Sequence, residues 1–299
     1  MKGVTIKGNP SSNRVRLVLK DDAKDRYMAH YFHFVEYIIF SIWVLEHYGL
    51  SNSDVKEIYV IGDDERFISG NHHDINKYLV HHLFPLATFG LAREGHSFDN
   101  TKMREFTISR HDADHRSINK MCAALFSCLT PEVINSYLLP LTVPSETREN
   151  TTVTYAARRN GPRTLPERVS RKLTSQVGDI EGVALDVVYW EDLCFEDQIR
   201  KAASTDVLIG IHGNNLTNLI FMKPGTLVVE IMPKGFFAYD YYGLCRLKGI
   251  EYYAVSDHVL APAEYKVSHQ QNRPVKRTDI SAIVAIIRNH MIFNSGSIS

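Results

Sequence analysis

An apolar run, "DVLIGI" over 206–211, breaks into His212, Gly213, Asn214, Asn215, Leu216 and Thr217, and the next run, "TLVVEIM" over 226–232, carries one carboxylate, Glu230. In an open parallel sheet, ligands bind beyond the carboxyl ends of the strands. Gly213 lets backbone approach a ligand without a Cβ. The helix start that follows presents unpaired N–H groups and a partial positive charge, which suit a phosphate. Glu230, near the end of its strand, can accept two hydrogen bonds from a ribose diol, as acidic residues do in dinucleotide-binding folds. A second cluster closes the strand in "YAARRN" (155–160), where Arg158 and Arg159 could meet phosphate with paired, charge-assisted bonds. A third is His33 with Glu36, three apart and so on one helix face, amid Phe32, Phe34, Val35, Ile38 and Ile39. Apolar surroundings disfavour a charged carboxylate and tune it toward proton transfer. Each cluster also has a plain structural reading. These are a Gly/Asn turn with Glu230 facing water, a solvated basic turn that includes Arg163 and Arg168, and a His–Glu bond anchoring a helix.

Other patterns are weaker. "HDADH" (111–115) places Asp112 and Asp114 after a strand, with His111 and His115 at i, i+4, which is a metal-site spacing. A D-x-D occurs by chance about once in a chain of this size. His72, His73, His81 and His82 fit no standard ligand pattern and read as surface histidines, and "GDDE" (62–65) as a polar strand exit. The G-x-G-x-x-G fingerprint is absent, since Gly210 and Gly213 are spaced wrongly, and so is a Walker A loop. An NAD-linked oxidoreductase is disfavoured accordingly.

The elements that must position these residues alternate. The first half reads as strands over 13–20, 56–62 and 104–110, with helices over 27–49, 74–84 and 117–129. The stretch 130–152, with Pro131, Pro140 and Pro144, reads as a linker. The second half gives strands over 152–157, 183–190, 206–211 and 226–232 with helices between, which predicts parallel βαβ units. A last helix covers 279–291. The 299 residues suffice for two ordinary domains. Lys plus Arg equals Asp plus Glu at 34 each, so the zero net charge argues against nucleic acid as a partner. The four cysteines show no C-x-x-C pair and suit a reducing compartment. The longest apolar run, 37–45, falls short of the ~20 residues a membrane span needs.

The stretch 206–233 resembles the signature of glycosyltransferase family 61, H-G-A-G-L-T-N followed by P-G and V-V-E. His212, Gly213, Leu216, Thr217, Asn218, Pro224, Gly225 and Glu230 match, and Asn214-Asn215 replaces Ala-Gly. "YAARRN" is similar to the family's strand ending in paired arginines, "DLCFEDQIRKAASTDVLIG" to the helix before the signature, and "HYFHFVEYI", more loosely, to its H-F-x-D/E segment.

The resemblance implies an α/β, GT-B architecture, two Rossmann-like α/β/α domains facing a cleft. On this chain that means an acceptor-side domain over 1–145, a nucleotide-sugar domain over 146–275 and a closing helix over 276–299 able to pack back on the first. It implies an inverting enzyme that moves a sugar from a UDP-sugar, a pentose such as xylose in the family's habit, to a glycan hydroxyl. The donor site then comprises Arg158, Arg159, His212, Gly213, Asn214, Asn215, Leu216, Thr217 and Glu230, with Glu36 or His33 as general base. No cofactor or metal is required in this reading. The expected partners are the nucleotide sugar and a glycan acceptor, with no stable membrane insertion. The expected location is cytoplasmic, or Golgi if an anchor has been removed. Two alternatives stay open: a nucleotide-sugar or glycan-binding protein without catalysis, and a GT-A-like metal-dependent transferase using Asp112 and Asp114.

Overall fold

The structure is a computed structural model. It describes residues 4–20, 31–61, 73–93, 96–109, 129–138, 149–159, 161, 163–264 and 274–295. The chain divides into two compact units, 1–129 and 130–299.

The first unit holds β1 (Val4–Gly8), β2 (Val15–Lys20), α1 (Tyr31–His47), β3 (Val55–Ile61), α2 (His73–Leu83), β4 (Thr88–Ala92) and β5 (Arg104–Ser109). The sheet order is β1-β5-β2-β3-β4. Only β1 runs antiparallel, against β5. Val15, Leu17, Val18 and Leu19 are all buried. That follows from the position of β2 between two parallel neighbours, with both faces covered. Beyond β2 the chain leads toward β3 and β4, while β5 returns on the other side. The β2 and β5 ends are thus this sheet's switch point. Tyr37 donates from its hydroxyl to the Lys20 carbonyl at 3.0 Å, which fixes that turn of α1 beside the carboxyl end of β2.

The second unit holds α3 (Pro131–Leu138), β6 (Thr151–Ala156), α4 (Glu167–Gly178), β7 (Val183–Val188), α5 (Phe195–Ala203), β8 (Val207–Ile211), a 3₁₀ helix (Asn214–Phe221), β9 (Leu227–Ile231), α6 (Asp240–Lys248), β10 (Glu251–Val255) and α7 (Ile280–Ser295). Its sheet is wholly parallel, in the order β7-β6-β8-β9-β10. Alternate residues serve two cores. Val153, Tyr155, Val207, Ile209, Val229 and Ile231 face α4 and α7. The other face carries Gly210, Glu230 and Ala254 in cross-strand register.

The structure corrects two expectations. The stretch read as linker contains α3, which packs on α6 and donates from Asn135 Nδ2 to the Lys248 carbonyl at 3.2 Å, so the division falls near 130 rather than 146. The last helix buries Ile283 and Ile287 in the second sheet's own core. The short helix expected after His212-Gly213 is present, as a 3₁₀ helix. The helix expected over 117–129 lies, but for Leu129, outside the described residues.

Candidate active site

The second sheet has the order 2-1-3-4-5 in its own strand count, and its switch point lies between β6 and β8. The segments leaving these two strands are 157–159 and 212–215, the same residues that carry the chemistry in the sequence. They are tied together. Asn215 Nδ2 donates to the Ala157 carbonyl at 3.3 Å, and Arg163 Nη1 to the His212 carbonyl at 3.2 Å.

Gly213 has φ of 139°, a conformation that L side chains rarely adopt. A Cβ there would collide with Arg158 Nη2 and lie 2.8 Å from Arg163 Nη1. Two guanidinium groups therefore crowd one stretch of bare backbone. Neither forms an ion pair among the described residues, and Arg158 Nε is buried without a hydrogen-bond partner. Burial, and then the charge of Arg163, lower the affinity of Arg158 for its proton. Glu191 pulls weakly the other way on Arg158, but no carboxylate among the described residues pairs with either guanidinium. Arg159 points elsewhere: it is exposed, pairs with Asp192, and lies over the Tyr189 ring with its guanidinium carbon 4.5 Å from the centroid. Arg163, which the sequence left in a solvated turn, replaces it beside Gly213.

His212 is 4% exposed and Glu230 is fully buried. Glu230 Oε1 accepts from His212 Nδ1 at 2.6 Å, and Oε2 accepts from the Tyr252 hydroxyl. Both oxygens assigned from the sequence to a ribose diol are thus occupied within the protein. Tyr252 was not singled out in the sequence. It lies on β10 two residues from Ala254, the cross-strand neighbour of Glu230, and so on the same face. The His212 ring meets Phe236 and Tyr241 edge-on, at 4.6 and 5.5 Å between centroids.

The remaining signature residues divide between contact and support. Leu216 is fully buried and packs under Gly210, Thr217 is fully buried, and Asn218 donates to Gln198 Oε1 at 3.1 Å. Asn214 and Asn215 stay partly exposed at the loop. Further along the same edge, a cavity of about 640 Å³ opens past β9 and β10, lined in part by Lys234, Asp257 and Arg277.

In the first unit, His33 Nδ1 lies 2.7 Å from Glu36 Oε2, and Glu36 is 4% exposed. The pair forms as its spacing requires, on the turn of α1 that Tyr37 fixes beside β2. Asp112 and Asp114 lie outside the described residues. Among the described residues, no group of three or more His, Cys, Asp or Glu could hold a metal ion, and no helix is long and apolar enough to cross a membrane.

The chain is 38% identical over 66 residues to the EGF domain-specific O-linked N-acetylglucosamine transferase of Bos taurus. That match covers 21% of the chain and 12% of the bovine protein, a small part of the relative's length. The sequence model of the family described as Glycosyltransferase 61 matches residues 31–229, more than half of the chain and all of the segments that build this site from Arg158 to His212. With His212, Gly213 and the buried arginine assembled at one switch point, the chain belongs to the glycosyltransferase 61 family.

Proposed function

We propose that the protein transfers a sugar, with inversion, from a UDP-sugar to a glycan hydroxyl. The observation that carries this reading is the Arg158–Arg163 pair against Gly213, two guanidinium groups that form no ion pair among the described residues at a parallel-sheet switch point. A diphosphate supplies the charge they lack. The cavity beside Lys234 and Arg277 has the size of an ordinary ligand site and can take the nucleoside.

The chemistry needs an acceptor hydroxyl to attack the anomeric carbon as its bond to the diphosphate breaks. The hydroxyl proton passes to a base, and the bonding electron pair leaves with the diphosphate. Glu36, held by His33, is the proposed base. Both units carry largely parallel sheets, which supports a GT-B arrangement. No step in this scheme calls on a metal. The donor sugar is a pentose such as xylose in our reading, and the matched relative's name makes N-acetylglucosamine the competitor.

The test is release of UDP from a panel of UDP-sugars, with and without glycan acceptors and EDTA. Turnover that survives EDTA and falls about 10²–10⁴-fold in Glu36→Gln, with UDP affinity preserved, supports the scheme. Saturable UDP binding without turnover would assign the protein to the binding class instead. Activity lost in EDTA and restored by Mn²⁺ would move the site to Asp112 and Asp114.

A further inference from the structure

His212 differs from the other polar residues of the loop in how firmly it is held. Its Nδ1 faces the Glu230 carboxylate, which is fully buried and also accepts from Tyr252. Its peptide N–H donates to the Ile231 carbonyl at 3.0 Å, and its own carbonyl accepts from Arg163. Phe236 and Tyr241 flank the ring. A carboxylate cannot donate, so Nδ1 must carry a hydrogen toward it. That leaves Nε2 as the atom the ring can offer, and Nε2 has no hydrogen-bond partner among the described residues. The next residue along the chain is Gly213, against which both guanidinium groups lie.

We propose that His212 is the group that meets the departing diphosphate, donating its Nε2–H, and that Glu230, completed by Tyr252, is the positioning residue that fixes its ring through Nδ1. This rests on the nucleotide-sugar reading above. Charge balance supports it. Arg158 and Arg163 place positive charge beside the ring, and the Glu230 carboxylate places negative charge on its Nδ1 side. Two further acids act at the edge of this cluster, Glu191 on Arg158 and Asp240 on Tyr241. Tyr241 and Cys245 of α6 are held by burial above their ordinary ranges, so both stay neutral. In the transfer step the anomeric C–O bond breaks toward the diphosphate and the acceptor C–O bond forms. The acceptor proton goes to the base, while His212 keeps its proton and lends a hydrogen bond to the leaving oxygen. Donors aimed at developing charge stabilise a transition state more than a ground state. In this assignment Glu230 positions His212 instead of serving the ribose.

The experiment measures kcat, KM and UDP affinity against pH for the full chain and for His212→Gln, Glu230→Gln and Tyr252→Phe. A parallel ¹⁵N spectrum of the histidine rings reads the tautomer without requiring turnover. Expected are a ~10²–10³-fold loss of kcat in His212→Gln with a much smaller change in donor KM, the range for one lost oxyanion donor. Glu230→Gln should move the alkaline limb of kcat to lower pH, because the imidazolium loses its counter-charge. Tyr252→Phe should move it the same way by less. The wild-type ring should show hydrogen on both Nδ1 and Nε2, since a ring protonated on Nδ1 alone has no Nε2–H to donate and would overturn the proposal. Loss of UDP affinity in Glu230→Gln with an unmoved pH limb would overturn the proposal and restore the ribose role. A kcat that rises with pH through that limb would also overturn it, since His212 would then act neutral. Wild-type protein that binds no UDP would overturn the nucleotide reading itself and this assignment with it. Should Glu230→Gln fail to fold, Tyr252→Phe and the wild-type ring spectrum still decide.

Discussion

At the scale of single residues, the sequence could place Arg158 and Arg159 at a strand end but could not say which one faces inward. The strand's alternation no longer holds past Ala157, and Asp192, far along the chain, captures Arg159. Arg163 was hidden for the complementary reason: only the return of the loop brings it onto the His212 carbonyl. The consequence is measurable by calorimetry with UDP. Arg158→Ala should weaken binding by roughly 1.5–3 kcal/mol, the range for hydrogen bonds to charged groups. Arg159→Ala should change it by less than about 0.5 kcal/mol, since an exposed ion pair contributes little and does not touch the site. Equal losses in both variants would mean that Arg159 leaves Asp192 to join the ligand. The His33–Glu36 pair was legible without tertiary information, because three-residue spacing on a helix is enough to bring two side chains together.

At the scale of elements, β8 and β9 were the easiest to read. Each is apolar along its length and buried on both faces, which is how a central parallel strand appears in sequence. Two elements that shape the site were not seen. Helix α6 carries Gly243 in its interior, which masks its pattern, and it stops at Gly249 with φ of 69°, where the Ile250 N–H donates to the Cys245 carbonyl at 2.8 Å. Strand β10 is partly exposed over Tyr252 and Tyr253, so its apolar signal is diluted and Tyr252 was missed with it. The seat of the 3₁₀ helix depends on Gly210 in the middle of β8. A Cβ there would stand 2.7 Å from Leu216 Cδ2 and 3.5 Å from Ala156 Cβ, between a packed side chain and the next strand. Gly210→Ala should therefore cost about 1–3 kcal/mol, the usual cost of overpacking a core, and shift the Asn214–Phe221 segment. Urea unfolding checks it, and pairing the change with Leu216→Ala should recover part of the loss if the contact is the cause. An unchanged midpoint would show that Leu216 yields without cost.

At the scale of the whole molecule, the two-part organisation was visible in the alternation of strands and helices, but the division was not. Prolines drew the linker too far downstream, because Pro131 opens α3 rather than breaking the chain. The reason α3 belongs to the second unit is its packing on α6, and there the fold tolerates a group that destabilises it. Lys248 is fully buried, and its amine has no hydrogen-bond partner among the described residues. Desolvation lowers its pKa from 10.5 to about 7. Below about pH 7 the folded protein must carry a buried ammonium, and the penalty is complete. Between about 7 and 10.5 the unfolded chain binds a proton that the folded chain does not, so this group makes stability rise with pH across that window. Above it the penalty is gone. Lys248→Met keeps most of the volume and removes the charge. It should stabilise the protein at about pH 6, by at most roughly 5 kcal/mol, because each pH unit across that window is worth about 1.4 kcal/mol. The advantage should shrink steadily toward about pH 10. Urea titrations of both proteins across that range isolate the one group, because every other titration is common to the two. A difference that stays flat with pH would mean that the amine finds water or a counter-ion in the folded state.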